Sequence, residues 1–560
     1  MKQFELNSAK EKTNIVLSKL FLPFNALLFS VLFLASCKKD SVPTTPQPET
    51  TYHLIVSQSI IQSAANAGTA TNISIEANAD WKVTVAAGID WIEVNKTSGT
   101  GNDAIQVKVS KENNTGSKRT ASITVSLVNG NAPSKEISVE QDFTVLSSVT
   151  VGWKKVLGGN GNDYGYSIIK TADGGYLLSG RTTSNNGDIT SSKGGIDLWV
   201  VKLDATGSLN WQKSYGGNAD EYSVAAATTP DGGYVLTGYT LTNSNGDVGA
   251  NHGNTDFWVI KINSTGTLQW QKTLGGTGDD RPSAVAVTTE GKIGVAGFTN
   301  SNNGDVSGNH GSQDMWVMLL DNANGNFISK KAFGGNGDES AKALAAAPDG
   351  GLYVGGNSSS SSNGDVGASK GNTDFWVLQL DKNLSIVWKN NFGGINNEDL
   401  NAVAVGPNNT LIAAGSTKSN NSGDVGAGKA SEDMWIITIN ASTGTLLSQK
   451  VLGGDGIDVA KAVLVRPNGN IVVAGYTYSN SSGDIEANHG GGEFWVVGLN
   501  SGGNVAFKKA LGGDSDDLAY SMAEGNQGFA IAGYTLSKDN GDVSSTHGNS
   551  DVWVVKLNDQ

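Results

Sequence analysis

Carboxylates recur at fixed intervals from residue 158 onward. Four residues after each of seven Gly-Gly pairs stands an acid: Asp163, Glu221, Asp280, Glu339, Glu398, Asp458 and Asp517. Such an acid either joins a ring that holds a cation or caps a turn by accepting backbone N–H groups. Its recurrence in every unit favours the cap, because a feature kept throughout a repeat serves folding. A second series sets two acids nine residues apart: Asp188 and Asp197, Asp247 and Asp256, Asp305 and Asp314, Asp365 and Asp374, then Asp424 and Asp433, Asp484 and Glu493, Asp542 and Asp551. The intervening loops are rich in Asn, Gly and Ser. Calcium takes carboxylate and carbonyl oxygens from loops of this kind and is the candidate metal. The segment Asn243-Ser244-Asn245-Gly246-Asp247-Val248 lacks the ordered Asp-x-Asp-x-Asp-Gly series, so hydrogen bonds from side chain to backbone are the favoured means of ordering the loop.

A basic residue sits inside each of these loops: Lys193, His252, His310, Lys370, Lys429, His489 and His547. One per unit, they do not converge on a zinc ion. Positions where the units differ carry more information. After the glycine of YVLTGYT-like segments stand Arg181, Tyr239, Phe298, Asn357, Ser416, Tyr476 and Tyr534. In a closed ring, Tyr476, Tyr534, Arg181, Tyr239 and Phe298 form an arc interrupted at Asn357 and Ser416. Aromatic rings beside an arginine are the composition of a sugar-binding face, with packing between units as the alternative. No nucleophile motif, phosphate loop or cofactor signature is present. A glycosidase needs two carboxylates in unlike environments, whereas the repeated acids are alike. Binding or display of carbohydrate without catalysis is therefore the expected function. A polysaccharide-acting hydrolase and a scaffold for protein partners are the alternatives.

These residues are positioned by repeats. Trp199, Trp258, Trp316, Trp376, Trp435, Trp495 and Trp553 are spaced 59, 58, 60, 59, 60 and 58 residues apart. Each unit offers an alanine-rich strand such as SVAAATT, then YVLTGYT, DFWVIKIN and LQWQKTL. Four strands per unit of this length mark a propeller blade. An orphan fourth strand, Val151-Gly152-Trp153-Lys154-Lys155-Val156-Leu157, precedes the first unit, and the last unit ends on its third strand, Val552-Trp553-Val554-Val555-Lys556-Leu557. Pairing the two would close a seven-bladed ring over 150–560 and remove its exposed edges. The units resemble the propeller repeats of secreted and lipid-anchored bacterial proteins, notably in their Asp-Gly-Gly-Tyr and Asp-Phe-Trp-Val segments. That resemblance implies a fold and leaves function open.

Residues 52–145 alternate apolar and polar residues in short runs, the pattern of a β-sandwich. Asn78-Ala79-Asp80-Trp81, Trp91-Ile92-Glu93-Val94, Ser98-Gly99-Thr100-Gly101, Arg119-Thr120-Ala121-Ser122-Ile123-Thr124-Val125 and Ile137-Ser138-Val139-Glu140-Gln141 together resemble a BACON domain. The resemblance implies an immunoglobulin-like fold and either carbohydrate binding or a spacer role. Trp81 and Trp91 are then candidates for stacking on a sugar ring. Burial is the favoured alternative, since large aromatics in small β-domains pack inside. The fold class is thus all-β throughout.

The N-terminus reads as an address. Lysines at 2, 10, 12 and 19 precede the apolar run LFLPFNALLFSVLFL, which is too short and too interrupted for a membrane-spanning helix. It ends in Leu34-Ala35-Ser36-Cys37, which resembles the lipobox of bacterial lipoproteins. The resemblance implies removal of residues 1–36 as a signal peptide and lipidation of Cys37, the sole cysteine. A Pro- and Thr-rich linker, 37–51, would hold the folded part away from a membrane. Lys38 follows the cysteine in place of the aspartate that retains some lipoproteins at the inner membrane, which points to the bacterial outer membrane and to display at the cell surface. The net charge of −14 disfavours nucleic acid and anionic lipid as partners. The expected partners are the membrane, through the lipid anchor, and, on the carbohydrate reading, polysaccharide or glycoprotein.

Overall fold

The computed structural model describes residues 51–63, 68, 70–111, 113, 118–129, 131–142, 148–429 and 431–560. The expected signal peptide, the linker up to residue 50 and the lipidation site Cys37 lie outside the described residues. Every regular element among the described residues is a strand. No helix among them is long and apolar enough to cross a membrane.

Residues 54–141 form two sheets whose strands alternate buried and exposed side chains, as a half-buried strand must. One sheet orders Leu54–Val56, Ala70–Ala77, Asp103–Val109 and Ile92–Val94; the other orders Ile60–Ser63, Lys135–Gln141, Arg119–Leu127, Asp80–Val85 and Ser98–Thr100. Ile60–Ser63 runs parallel to Lys135–Gln141, and the other pairs are antiparallel. Ile73, Ile75, Ile105, Val107, Ile123, Val125, Ile137 and Val139 form the core, together with Trp81 and Trp91.

The repeats fold into seven four-stranded antiparallel sheets. Their first strands, here defining sheets one to seven, are Asp163–Lys170, Glu221–Thr228, Asp280–Val287, Glu339–Ala346, Glu398–Gly406, Asp458–Val465 and Asp517–Gly525. Third strands such as Asp256–Ile262 are buried along their whole length. This explains why DFWVIKI is almost continuously apolar: both of its faces are covered. Sheet seven borrows its fourth strand from the start of the repeats. Val149–Leu157 pairs antiparallel with Asp551–Asp559, with Leu157 opposite Val552.

Apolar clusters fill each junction between neighbouring sheets. Trp258 of sheet two packs on Leu198 and Val200 of sheet one. The rings of Trp316, Trp435 and Trp553 meet Phe257, Phe375 and Phe494 of the preceding sheets at 4.9, 4.7 and 4.5 Å. The junction between sheets seven and one is built in the same way, with Trp199 and Val201 against Ala532 and Val554, so the sheets close into a propeller-like ring. First strands lie beside one another around it. Their small residues allow this approach: the Ile168 N–H donates to Ser521 Oγ (3.0 Å) and the Ala226 N–H to Ser167 Oγ (3.2 Å), each across a junction.

Candidate ligand-binding face

One local device, repeated in every sheet, sets the candidate site. Each first strand carries a bulge three residues in, where pairing skips one residue, as between Gly165 and Ser167 or Ser223 and Ala225. The bulge drives a carbonyl against the glycine of the second strand. A Cβ on Gly180 would lie 1.8 Å from Tyr164 O, and one on Gly238 1.8 Å from Tyr222 O. The equivalent distance at Gly297, Gly356, Gly415, Gly475 and Gly533 is 1.9 to 2.1 Å. Glycine is required there because no side chain fits. The residue after that glycine is thereby paired with the residue before the bulge: Arg181 with Tyr164, Tyr239 with Tyr222, Phe298 with Arg281, Asn357 with Ser340, Ser416 with Asp399, Tyr476 with Val459 and Tyr534 with Leu518. All seven pairs stand at the same end of the ring.

On one side aromatic rings gather around Arg181 in a row. The Arg181 guanidinium lies over Tyr164 (4.5 Å to the ring centroid), over Tyr222 of the next sheet (5.1 Å) and over Tyr166 (5.8 Å). Tyr222 stacks on Tyr239 with centroids 4.6 Å apart, and Arg281 of sheet three lies 4.9 Å over Tyr239. In the other direction Tyr164 meets Tyr534 edge-on at 4.8 Å, and Tyr166 meets Tyr520 at 5.3 Å. Tyr476 contacts Tyr478 at 5.9 Å. Arg181, Tyr239, Phe298, Tyr476 and Tyr534 are half-exposed and Tyr478 is exposed. Burial pushes the hydroxyls of Tyr166, Tyr520 and Tyr534 above the usual phenol range, and that of Tyr476 up to about 12. All four are neutral donors at physiological pH.

Sheets four and five interrupt the row with polar groups. Asn357 donates from Nδ2 to Asp399 Oδ1 (3.1 Å) and accepts the Leu400 N–H at Oδ1 (2.7 Å). Ser416 donates to Glu432 Oε1 (2.7 Å). Lys342 and Lys461, on the first strands of sheets four and six, are half-buried, and burial lowers the pKa of both. Lys461 Nζ donates to Asn401 Oδ1 at 3.2 Å. Of the residues in the sequence arc, ring contacts join Tyr534, Arg181 and Tyr239 through Tyr164 and Tyr222, Tyr476 meets Tyr478, and Phe298 pairs with Arg281. Sequence reasoning missed Tyr164, Tyr166, Tyr222, Tyr478, Tyr520, Arg281, Lys342 and Lys461. Except for the loop residue Tyr478, they stand at first-strand positions that differ between units, the same signal that identified Arg181 and Tyr239.

The repeated acids take other work. Each first-strand acid caps the turn before it: Gly159 N–H donates to Asp163 Oδ2 (2.8 Å), and the same bond recurs from Gly217 to Glu221, Gly276 to Asp280, Gly335 to Glu339, Gly394 to Glu398, Gly454 to Asp458 and Gly513 to Asp517. In the pairs that are candidates for calcium, the two acids hold different partners. Asp188, Asp247 and Asp305 accept the N–H of Gly158, Gly216 and Gly275 from the sheet before. The backbone N–H of Asp365 donates likewise to Gly334 O. Asp197, Asp256, Asp314 and Asp374 are buried and accept the N–H of Lys193, His252, His310 and Lys370 within their own loops (2.7 to 2.9 Å). Among the described residues no three or more His, Cys, Asp or Glu side chains stand together as a metal centre would need.

The basic loop residues divide by type. Lys193, Lys370 and Lys429 reach the neighbouring sheet's Asp247, Asp424 and Asp484. His252, His310 and His489 fold back on their own Asp256, Asp314 and Glu493 at 2.8 to 2.9 Å. In the small module Trp81 and Trp91 are 0% and 5% exposed. Trp81 Nε1 donates to Gly101 O (2.9 Å), and Arg119 covers the Trp91 ring at 4.3 Å. Neither indole presents a face to a sugar, so both are corrected to core residues.

Comparison with known proteins bears on architecture. The regulatory protein FlaEY of Caulobacter vibrioides is 26% identical over 187 residues, which are 32% of this chain and 18% of that protein. The chain thus spans about a fifth of that relative. Among solved structures, a Bacteroides ovatus GH5 xyloglucanase in complex with a XXXG heptasaccharide is 18% identical, with 25% of this chain and 30% of that one covered and a TM-score of 0.15. The Neurospora crassa Pan2 WD40 domain is 10% identical, with 74% and 96% covered and a TM-score of 0.40. At these scores neither says what this chain binds. Residues 79–142 match the BACON family, described as "Putative binding domain, N-terminal". The chain therefore joins a BACON domain to a repeat region of propeller-like architecture.

Proposed function

We propose that this protein is a cell-envelope lipoprotein, anchored through Cys37, that binds or displays carbohydrate on the aromatic row of its repeat region and does not turn it over. The observation that carries the reading is the run of half-exposed rings flanking Arg181, from Tyr534 through Tyr164 and Tyr222 to Tyr239. Apolar ring faces with a few polar groups among them suit the alternating C–H and hydroxyl surfaces of a saccharide. The absence of turnover is supported by the acids themselves. The first- and third-strand acids that recur are buried and accept backbone N–H groups, and the half-buried Asp188, Asp247 and Asp305 between them do the same. The recurring acids thus repeat like environments rather than the unlike pair that glycoside hydrolysis needs.

Affinity electrophoresis of the whole chain through gels containing plant, algal and host polysaccharides tests the reading. The expected result is retardation in at least one gel, lost in the Tyr239→Ala plus Tyr534→Ala double variant, without release of reducing sugar. Retardation unchanged in that variant would move the site away from the row. Reducing-sugar release would make the protein a hydrolase.

A further inference from the structure

Arg181 stands in an unusual electrostatic position. Its guanidinium is held between the rings of Tyr164 and Tyr222, with Tyr166 behind. Among the described residues no carboxylate lies within ion-pair distance of it, whereas Arg281 has Asp279 at 3.7 Å and Arg466 has Asp559. Stacking occupies the faces of a guanidinium and leaves its edge free. That edge carries five N–H donors in a fork that matches the two oxygens of a carboxylate or sulfate.

Two more cations at the same end of the ring lack a carboxylate partner. Lys342 and Lys461 flank sheet five, and neither takes part in an ion pair among the described residues. Asp399, which acts electrostatically on both lysines, accepts a hydrogen bond from Asn357, and Glu432, which acts on Lys461, accepts one from Ser416. Lys193, Lys370 and Lys429, on the surface loops, all have carboxylate partners. In a chain with a net charge of −14, these three cations stand at one end of the ring without a direct ion pair, although Asp399 and Glu432 lie at the same end. A half-buried cation without a direct ion pair is only partly compensated, and a bound anion relieves it.

We propose that the ligand is an anionic saccharide, with its carboxylate or sulfate on the free edge of Arg181 and its sugar ring against the adjoining tyrosines. Lys342 and Lys461 add a positive field that draws such a ligand to this end. This rests on the carbohydrate reading above and narrows it to one chemical class.

Matched polymers separate the two. The whole chain is run through gels of polygalacturonate and of the same polymer after carboxyl reduction, and of chondroitin sulfate and its desulfated form. Retardation is expected in an acidic gel, weakened by carboxyl reduction or desulfation according to which group Arg181 holds. Arg181→Gln should raise the apparent Kd about 10- to 100-fold, the effect of one charge-assisted fork, and Arg181→Lys should recover part of the loss. The melting temperature of each variant reports that the fold is intact. Equal retardation by the neutral partner polymers would overturn the anionic assignment and leave carbohydrate binding standing. Retardation by neither class would overturn both. Acidic-gel retardation unchanged in Arg181→Gln would remove Arg181 from the site.

Discussion

At the scale of the residue, Gly238 and its six equivalents connect folding to the candidate site. A carbonyl from the bulged first strand occupies the space a Cβ would need, and the bulge holds Tyr222 opposite Tyr239. Gly238→Ala is expected to destabilise the protein by about 1–3 kcal/mol, the usual range for overpacking, as read from the urea midpoint. A change below about 0.5 kcal/mol, typical of an indifferent surface site, would show that the bulge adjusts without strain. The same register explains what sequence reading could and could not find. Arg181, Tyr239 and Tyr534 were legible because they break a repeat at a fixed offset from a glycine. Tyr164 and Tyr222 were not, because their pairing depends on a bulge whose only sequence mark is that glycine. The inward orientation of Trp81 was legible in its neighbours, since Asp80 and Lys82 are exposed on either side of it in one short strand.

At the scale of the element, each junction between sheets brings two buried carboxyl groups together. The third-strand acid of one sheet and the first-strand acid of the next face the same glycine. A Cβ on Gly216 would lie 2.4 Å from Asp197 Oδ1 and 2.5 Å from Glu221 Oε2, and one on Gly275 would meet Asp256 and Asp280 at 2.4 and 2.7 Å. Asp197 Oδ1 and Asp256 Oδ1 have no hydrogen-bond partner. Burial, and then the neighbouring acid, push the carboxyls of Glu221, Asp256 and Asp458 above their ordinary values of 4.5, 3.8 and 3.8, even against the hydrogen bonds they accept. A group with a raised folded pKa adds stability that is full below its unfolded pKa and is lost as pH rises through the folded one. Asp173 and Asp231 go the other way. Despite partial burial, hydrogen bonds from Lys202 and Lys261 hold them at about 2, so their contribution is lost only in stronger acid. The melting temperature should therefore be higher at about pH 5 than at about pH 8. Glu221→Gln should flatten that slope by removing one of the titrating groups. A melting temperature that climbs from pH 5 to pH 8 would contradict this account of the junctions.

At the scale of the whole molecule, the ring brings residues distant in sequence into one row: Tyr534 of the last sheet beside Tyr164 of the first. Closure depends on Val149–Leu157 pairing with Asp551–Asp559 and on the apolar cluster between sheets seven and one. The four-strand unit and the orphan strand were readable from the spacing of tryptophans and the order of strands. The polarity of the row was not, because Lys342 and Lys461 look like ordinary surface lysines until neighbouring strands cover them. The central claim is that this row is where the ligand sits. Hydroxyl-radical footprinting of the whole chain, with and without a polysaccharide that retards it, reads that directly. Protection of Tyr164, Tyr222, Tyr239 and Tyr534, with residues 52–142 unchanged, is the predicted result. Protection confined to residues 52–142, or tyrosines oxidised equally in both samples, would contradict it.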